Sequence, residues 1–217
     1  MLAIFTIKFM TSKFLYFAIG AGALVLFLVF WFVFFENNTD LNRPPAEGNI
    51  IFFGDSLVEG VGATIGNDLP SQASRQSGYE ILNGGWTGDT AASALQRLER
   101  DVLEKNPKLV IVLLGGNDFL TEVPPDETFL NLGEIIDKIQ ARQAAVLLVG
   151  VRGGVLDDPY KQRFEELAKT KNVSYIPNIL DGVIGHPDLM TDPVHPNDAG
   201  YGKMAERILP ALRDILR

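Results

Sequence analysis

After Asn49 the chain alternates between two periodicities, and that alternation restricts it to one class of fold. Short apolar runs at residues 50–53, 79–82, 109–114, 145–151 and 173–176 have the length of buried strands. Residues 90–104, 127–143, 159–169 and 198–216 instead carry apolar side chains at helical spacing. In the first of these, Ala91, Ala94, Leu95, Leu98 and Val102 recur at intervals of three and four, which predicts one buried face. Strands that read as near-continuous apolar runs are covered on both sides. Strand–helix alternation implies parallel strands joined by right-handed crossovers. The expected architecture over residues 49–217 is therefore a three-layer α/β/α sandwich with a parallel sheet of about five strands. No internal repeat or low-complexity tract is seen.

The apolar excess is concentrated at the other end. Residues 14–35 carry no charge and no proline. As a helix they would span about 33 Å at about 1.5 Å per residue, which matches a hydrocarbon core. Lys8 and Lys13 precede the segment, whereas Glu36 and Asp40 follow it, with Arg43 beyond. The positive-inside rule then puts residues 1–13 in the cytoplasm and the rest outside. A cleaved signal peptide would have a shorter apolar region and a small-residue cleavage site. The segment ends instead in Trp31-Phe32-Val33-Phe34-Phe35, so an uncleaved transmembrane signal anchor is expected at 14–35. Met10 is an alternative start that leaves this topology unchanged. Residues 36–48, stiffened by Pro44-Pro45, read as a linker. The expectation is a single-pass protein of a bacterial inner membrane with an extracytoplasmic, periplasmic domain.

A net charge of −8 argues against a nucleic-acid partner held through phosphates and against a polybasic membrane patch. The absence of cysteine excludes disulfides, a thiol nucleophile and a CxxC metal site.

In open α/β folds, ligands bind where strands hand over to helices, so those joints carry the functional reading. The first is Gly54-Asp55-Ser56-Leu57, where Ser56 is either a helix N-cap or a nucleophile. The second, residues 83–90, reads NGGWTGDT. It is either a plain turn capped by Asp89 or Thr90, or a free Gly88 N–H beside a helix N-terminus suited to an oxyanion. The third is Gly115-Gly116-Asn117-Asp118, in which Asn117 stabilises an Asx turn or offers a side-chain amide to an oxyanion. The fourth is Asp192-Pro193-Val194-His195-Pro196-Asn197. Here an acid three residues before a proline-flanked histidine can orient one ring nitrogen while the other serves as a base. His186, the second of only two histidines, lacks that framing.

In this order the four joints resemble the blocks of the SGNH (GDSL-type) hydrolases. These are GDSL at 54–57, N-x-x-x-x-G-D-T at 83–90, GGND at 115–118 and DPVHPN at 192–197. The likeness covers residues 50–217. It is nearest to the bacterial arylesterase, acyl-CoA thioesterase I and lysophospholipase L1 group, which also shows G-x-G at 60–62. The resemblance implies a flavodoxin-like sandwich and a catalytic set of Ser56 as nucleophile, His195 as base and then acid, and Asp192 as its orienter. It implies an oxyanion hole of the Ser56 N–H, the Gly88 N–H and the Asn117 side chain, with Asp55, Trp86 and Asp118 as substrate contacts. No metal or organic cofactor is implied. Two departures stand out. The last block has Pro193 where glycine is more usual, and Trp86 stands where smaller side chains are common.

The function this implies is hydrolysis of esters or thioesters of lipid-like acyl groups. The same triad on O-acetylated surface glycans is the alternative, and a non-catalytic binding module is a third reading. The acyl pocket is expected to include Pro124-Pro125 and residues 153–158.

Overall fold

A computed structural model describes residues 44–151 and 159–217. The expected anchor at 14–35, residues 1–13, most of the linker and the 153–158 stretch lie outside these residues. Among the described residues no helix is long and apolar enough to cross a membrane.

Five strands form one parallel sheet: β1 (Asn49–Gly54), β2 (Ile81–Gly85), β3 (Pro107–Leu113), β4 (Ala145–Val149) and β5 (Ser174–Ile176). Their spatial order is β2-β1-β3-β4-β5, and every neighbouring pair is parallel. The helices are α1 (Ser56–Glu59), α2 (Leu69–Ser77), α3 (Ala91–Asp101), α4 (Gly116–Leu120), α5 (Pro125–Gln140), α6 (Pro159–Thr170) and α7 (Asp198–Ile215).

Alternate strand residues feed two separate cores, because successive side chains in a strand point to opposite faces. Ile50, Phe52, Leu109, Ile111 and Leu147 pack with Leu69 and Ala73 of α2 and with Tyr201, Met204 and Ile208 of α7. Ile51, Phe53, Val110, Val112 and Leu148 pack with Ala94 and Leu98 of α3, Leu132 and Ile136 of α5, and Phe164 of α6. Both faces of the sheet are thus covered, which is why the strands read as unbroken apolar runs. The three-layer sandwich and its five parallel strands are as the sequence implies.

The differences are local. The strand expected at 79–82 runs from Ile81 to Gly85, paired with β1 so that Gly54 lies opposite Gly85. Tyr79 stays outside it and is partly exposed. Apolar content points to the start of such a strand, but its end is built from Asn83-Gly84-Gly85 because α1 crosses directly over it. A Cβ on Gly85 would lie 2.0 Å from the Glu59 nitrogen. The crossover from β1 to β2 also contains a helix, α2, that hydrophobic periodicity does not reveal. Its sequence LPSQASRQS is mostly polar, and it is fixed by an Asp68 cap on the Ser71 N–H and by Leu69 and Ala73 in the core.

Candidate active site

All four joints lie at the carboxyl edge of the sheet, where the parallel strands end. At the first, β1 stops at Gly54 and the chain turns directly into α1. Asp55, not Ser56, is the N-cap: its Oδ1 accepts the Leu57 N–H at 3.0 Å. Ser56 therefore occupies the first helical position with its hydroxyl free for other work. Among the described residues its backbone N–H meets no acceptor.

The last joint brings the histidine to that hydroxyl. His195 Nε2 lies 3.1 Å from Ser56 Oγ, across 139 residues of sequence. His195 Nδ1 lies 2.7 Å from Asp192 Oδ2. The other Asp192 oxygen accepts the backbone N–H groups of Val194 and His195, each at 2.8 Å. The Val194 N–H, the His195 ring and the His195 N–H hold the Asp192 carboxyl down at about 2. An ionised carboxylate can only accept, so the imidazole proton sits on Nδ1 and the Nε2 lone pair accepts from Ser56 Oγ–H. The turn is closed by the Thr191 N–H donating to the His195 carbonyl at 2.9 Å and by Thr191 Oγ1 donating to the Gly62 carbonyl at 3.0 Å. Pro193 sits within this turn without displacing either side chain.

At the third joint, Gly115 takes a left-handed backbone angle, φ +105°, that a side chain would resist. This turns β3 sharply into α4 and leaves Asn117 half-buried at the site. Asn117 Nδ2 donates one hydrogen to the Asp89 carbonyl at 2.9 Å, which leaves its second hydrogen available. The same bond ties the third joint to the second, where the neighbouring Gly88 is exposed and its N–H meets no acceptor among the described residues.

Ser56, Asn117 and His195 share a cavity of about 270 Å³ with apolar walls, among them Leu57, Phe119, Val151, Leu180 and Ile184. Sequence patterning misses three of these wall residues, Phe119, Leu180 and Ile184, which fall in short helices and turns that show no regular period. Pro124 and Pro125 do not line the cavity. They edge a neighbouring groove that shares Phe119 and Leu120.

The three residues assigned to substrate contact take different places. Asp55 lines the cavity but is 3% exposed, and burial pushes its carboxyl from 3.8 up to about 7. The nearby Asp89 and Asp118 carboxyls push the same way, against the Leu57 hydrogen bond and the proximity of the His195 ring. Asp118 is fully buried. Its Oδ2 accepts the Ala91 N–H at 2.9 Å, so it clamps the start of α3 against α4 rather than facing a ligand. Burial raises its pKa, and among the described residues its Oδ1 meets no hydrogen-bond partner. Trp86 is 60% exposed and absent from the cavity wall; its N–H donates to the Gly54 carbonyl at 2.9 Å. His186 lies on the loop before Pro187–Leu189 and outside the cavity. Among the described residues no cluster of three or more His, Cys, Asp or Glu side chains could hold a metal ion.

Residues 52–203 match the model of the GDSL-like lipase/acylhydrolase family. Esterase TesA of Pseudomonas aeruginosa is 28% identical over 187 residues, covering 81% of this chain and 93% of that protein. Thioesterase 1/protease 1/lysophospholipase L1 of Escherichia coli K12 is 29% identical over 182 residues, covering 80% and 88%. A crystal structure of TesA superposes with a TM-score of 0.72 at 28% identity, over 77% of this chain and 99% of the other.

Proposed function

The chain belongs to the GDSL-like lipase/acylhydrolase family, and from that premise we propose that it is a serine esterase acting on carboxylic esters or thioesters of acyl groups. One observation carries the proposal: the Ser56–His195–Asp192 chain of 3.1 and 2.7 Å contacts opens onto an apolar cavity. Serine is a weak nucleophile at neutral pH and needs an adjacent base. Ser56 Oγ attacks the acyl carbonyl carbon as its proton passes to His195 Nε2. The carbonyl oxygen becomes an oxyanion, received by the N–H groups of Ser56 and Gly88 and by Asn117 Nδ2. The carbon–oxygen or carbon–sulfur bond then breaks, and His195 returns the proton to the departing alcohol or thiol. Water repeats the sequence on the acyl-serine, releasing a carboxylic acid and free Ser56. Asp192 keeps the imidazole in the required tautomer and stabilises the imidazolium formed in each half.

The apolar walls suit an acyl chain. A sugar would call for polar partners there, so the glycan deacetylase alternative is not favoured. The named activities of the two relatives, an esterase and a thioesterase/lysophospholipase, support the same choice. The uncharged segment 14–35, with Lys8 and Lys13 before it, supports a membrane-anchored enzyme with its site outside the cytoplasm. Digestion of the domain by protease added to intact spheroplasts would support that topology; protection until lysis would contradict it.

The test of function is a series of p-nitrophenyl esters of increasing chain length, with Ser56→Ala alongside. Activity that peaks at medium or long chains and is lost in Ser56→Ala is expected. A sharp preference for acetate would point to deacetylation instead.

A further inference from the structure

The oxyanion-binding donors come from three separate loops, and one side chain beneath them touches or braces all three. Arg97 of α3 is only 10% exposed, and its guanidinium lies over the Phe53 ring at 4.4 Å. Four of its five N–H groups are used. Nε donates to Asp89 Oδ2 at 2.5 Å and Nη1 to Asp101 Oδ2 at 3.1 Å. Nη2 donates to the carbonyls of Gly54 and Gly84, both at 3.0 Å.

Those partners are placed with respect to the site. Gly54 is the residue at which β1 turns toward Ser56, and its carbonyl also accepts the Trp86 N–H. Gly84 is the second-to-last residue of β2, the strand that leads into the Gly88 loop. Asp89 follows Gly88 directly, and its carbonyl is the acceptor that orients Asn117 Nδ2. Asp89 is 5% exposed, and the other oxygen of its carboxylate accepts Ser93 Oγ–H at 2.8 Å, so the group is fixed on both sides. Each expected oxyanion donor is thus one or two residues, or one hydrogen bond, from a residue that the same guanidinium holds.

We propose that Arg97 is a positioning residue for the reaction: through Asp89, Gly54 and Gly84 it sets the spacing of the Ser56 N–H, the Gly88 N–H and the Asn117 amide around the developing oxyanion. This rests on the serine-esterase reading above. A rigid planar fork suits the task, because it directs its N–H groups at two carbonyls and two carboxylates along fixed directions, where an ammonium would act as a single point charge. Oxyanion donors act through their placement before the charge develops, and a displacement of about 1 Å can cost about 10²-fold in rate.

The experiment uses the full chain, with rates expressed per active site titrated by a serine-reactive phosphonate. Arg97→Gln is expected to lower kcat about 10²-fold, with KM within about threefold of wild type. Combined with Asn117→Ala, it should lower kcat by no more than about threefold beyond Asn117→Ala alone, because both act on one arrangement. Arg97→Lys retains a charge facing Asp89 but loses the paired carbonyl contacts, and should lose about tenfold in kcat. It provides the same reading if the glutamine variant fails to fold. A purely structural role predicts fewer titratable sites at unchanged kcat per site. That result, or full multiplication of the Arg97 and Asn117 effects, would overturn the proposal. Hydrolysis by the wild-type chain that survives Ser56→Ala would overturn the esterase reading, and this proposal with it.

Discussion

Replacing Asp55 by asparagine should make the protein more stable, and the gain should depend on pH in a calculable way. Asp55 combines 3% exposure with a carboxyl pushed from 3.8 to about 7, chiefly by burial. In the folded chain it holds a proton that the unfolded chain releases from pH 3.8 upward. A folded-state pKa above the unfolded one means that stability falls as pH rises through that window, with the full cost in place above about 7. The window is about three units wide, and each unit is worth about 1.4 kcal/mol, so the ionised carboxylate costs about 4 kcal/mol at pH 8. Asparagine keeps the Oδ1 that accepts the Leu57 N–H and cannot ionise. Urea unfolding of both chains from pH 4 to 8.5 isolates the effect, since titrations common to both cancel in the difference. The stability advantage of Asp55→Asn should climb by about 1.4 kcal/mol per unit between about 5 and 7 and level off about 4 kcal/mol above its value in acid. A difference that stays constant across the range would refute the assignment of a proton to Asp55.

Asp192→Asn should lower kcat by about 10³–10⁴-fold, because the amide would donate to His195 Nδ1 and move the ring proton to the nitrogen facing Ser56. Steady-state kinetics should show this with KM changed only a few-fold. Gly85→Ala should destabilise the fold by about 3 kcal/mol or prevent folding, since its Cβ would sit 2.0 Å from the Glu59 backbone nitrogen. Urea midpoints read that cost, and a loss under about 1 kcal/mol would show that α1 can move off the end of β2.

Much of this was legible in the chain itself, for identifiable reasons. Strands covered on both faces need apolar side chains at every position, so residues 50–53, 109–113 and 145–149 declare themselves. The joints that form the candidate site were readable because each needs special backbone or side-chain chemistry within a few residues, as with Gly115 before Asn117 or the short arc from Asp192 to His195. What stayed hidden depends on distant parts of the chain. The helix at Leu69–Ser77 is amphipathic over only two turns and takes its place from packing against α7. The end of β2 is glycine because another segment crosses it. Trp86 and Asp118 sit inside motif-bearing loops, yet one points to solvent and the other is sealed under a helix, and no local spacing separates them from ligand contacts. Arg97 looks like an ordinary helix charge until the fold brings Gly54 and Gly84 to it.

The central claim is that Ser56 is the nucleophile, activated by His195. Treating the full chain with a p-nitrophenyl phosphonate and mapping the adduct by peptide mass spectrometry tests it most directly. One adduct is expected, on Ser56, formed in step with loss of esterase activity, absent from Ser56→Ala and much slower to form in His195→Ala. An adduct on another residue, or esterase activity undiminished in Ser56→Ala, would contradict it.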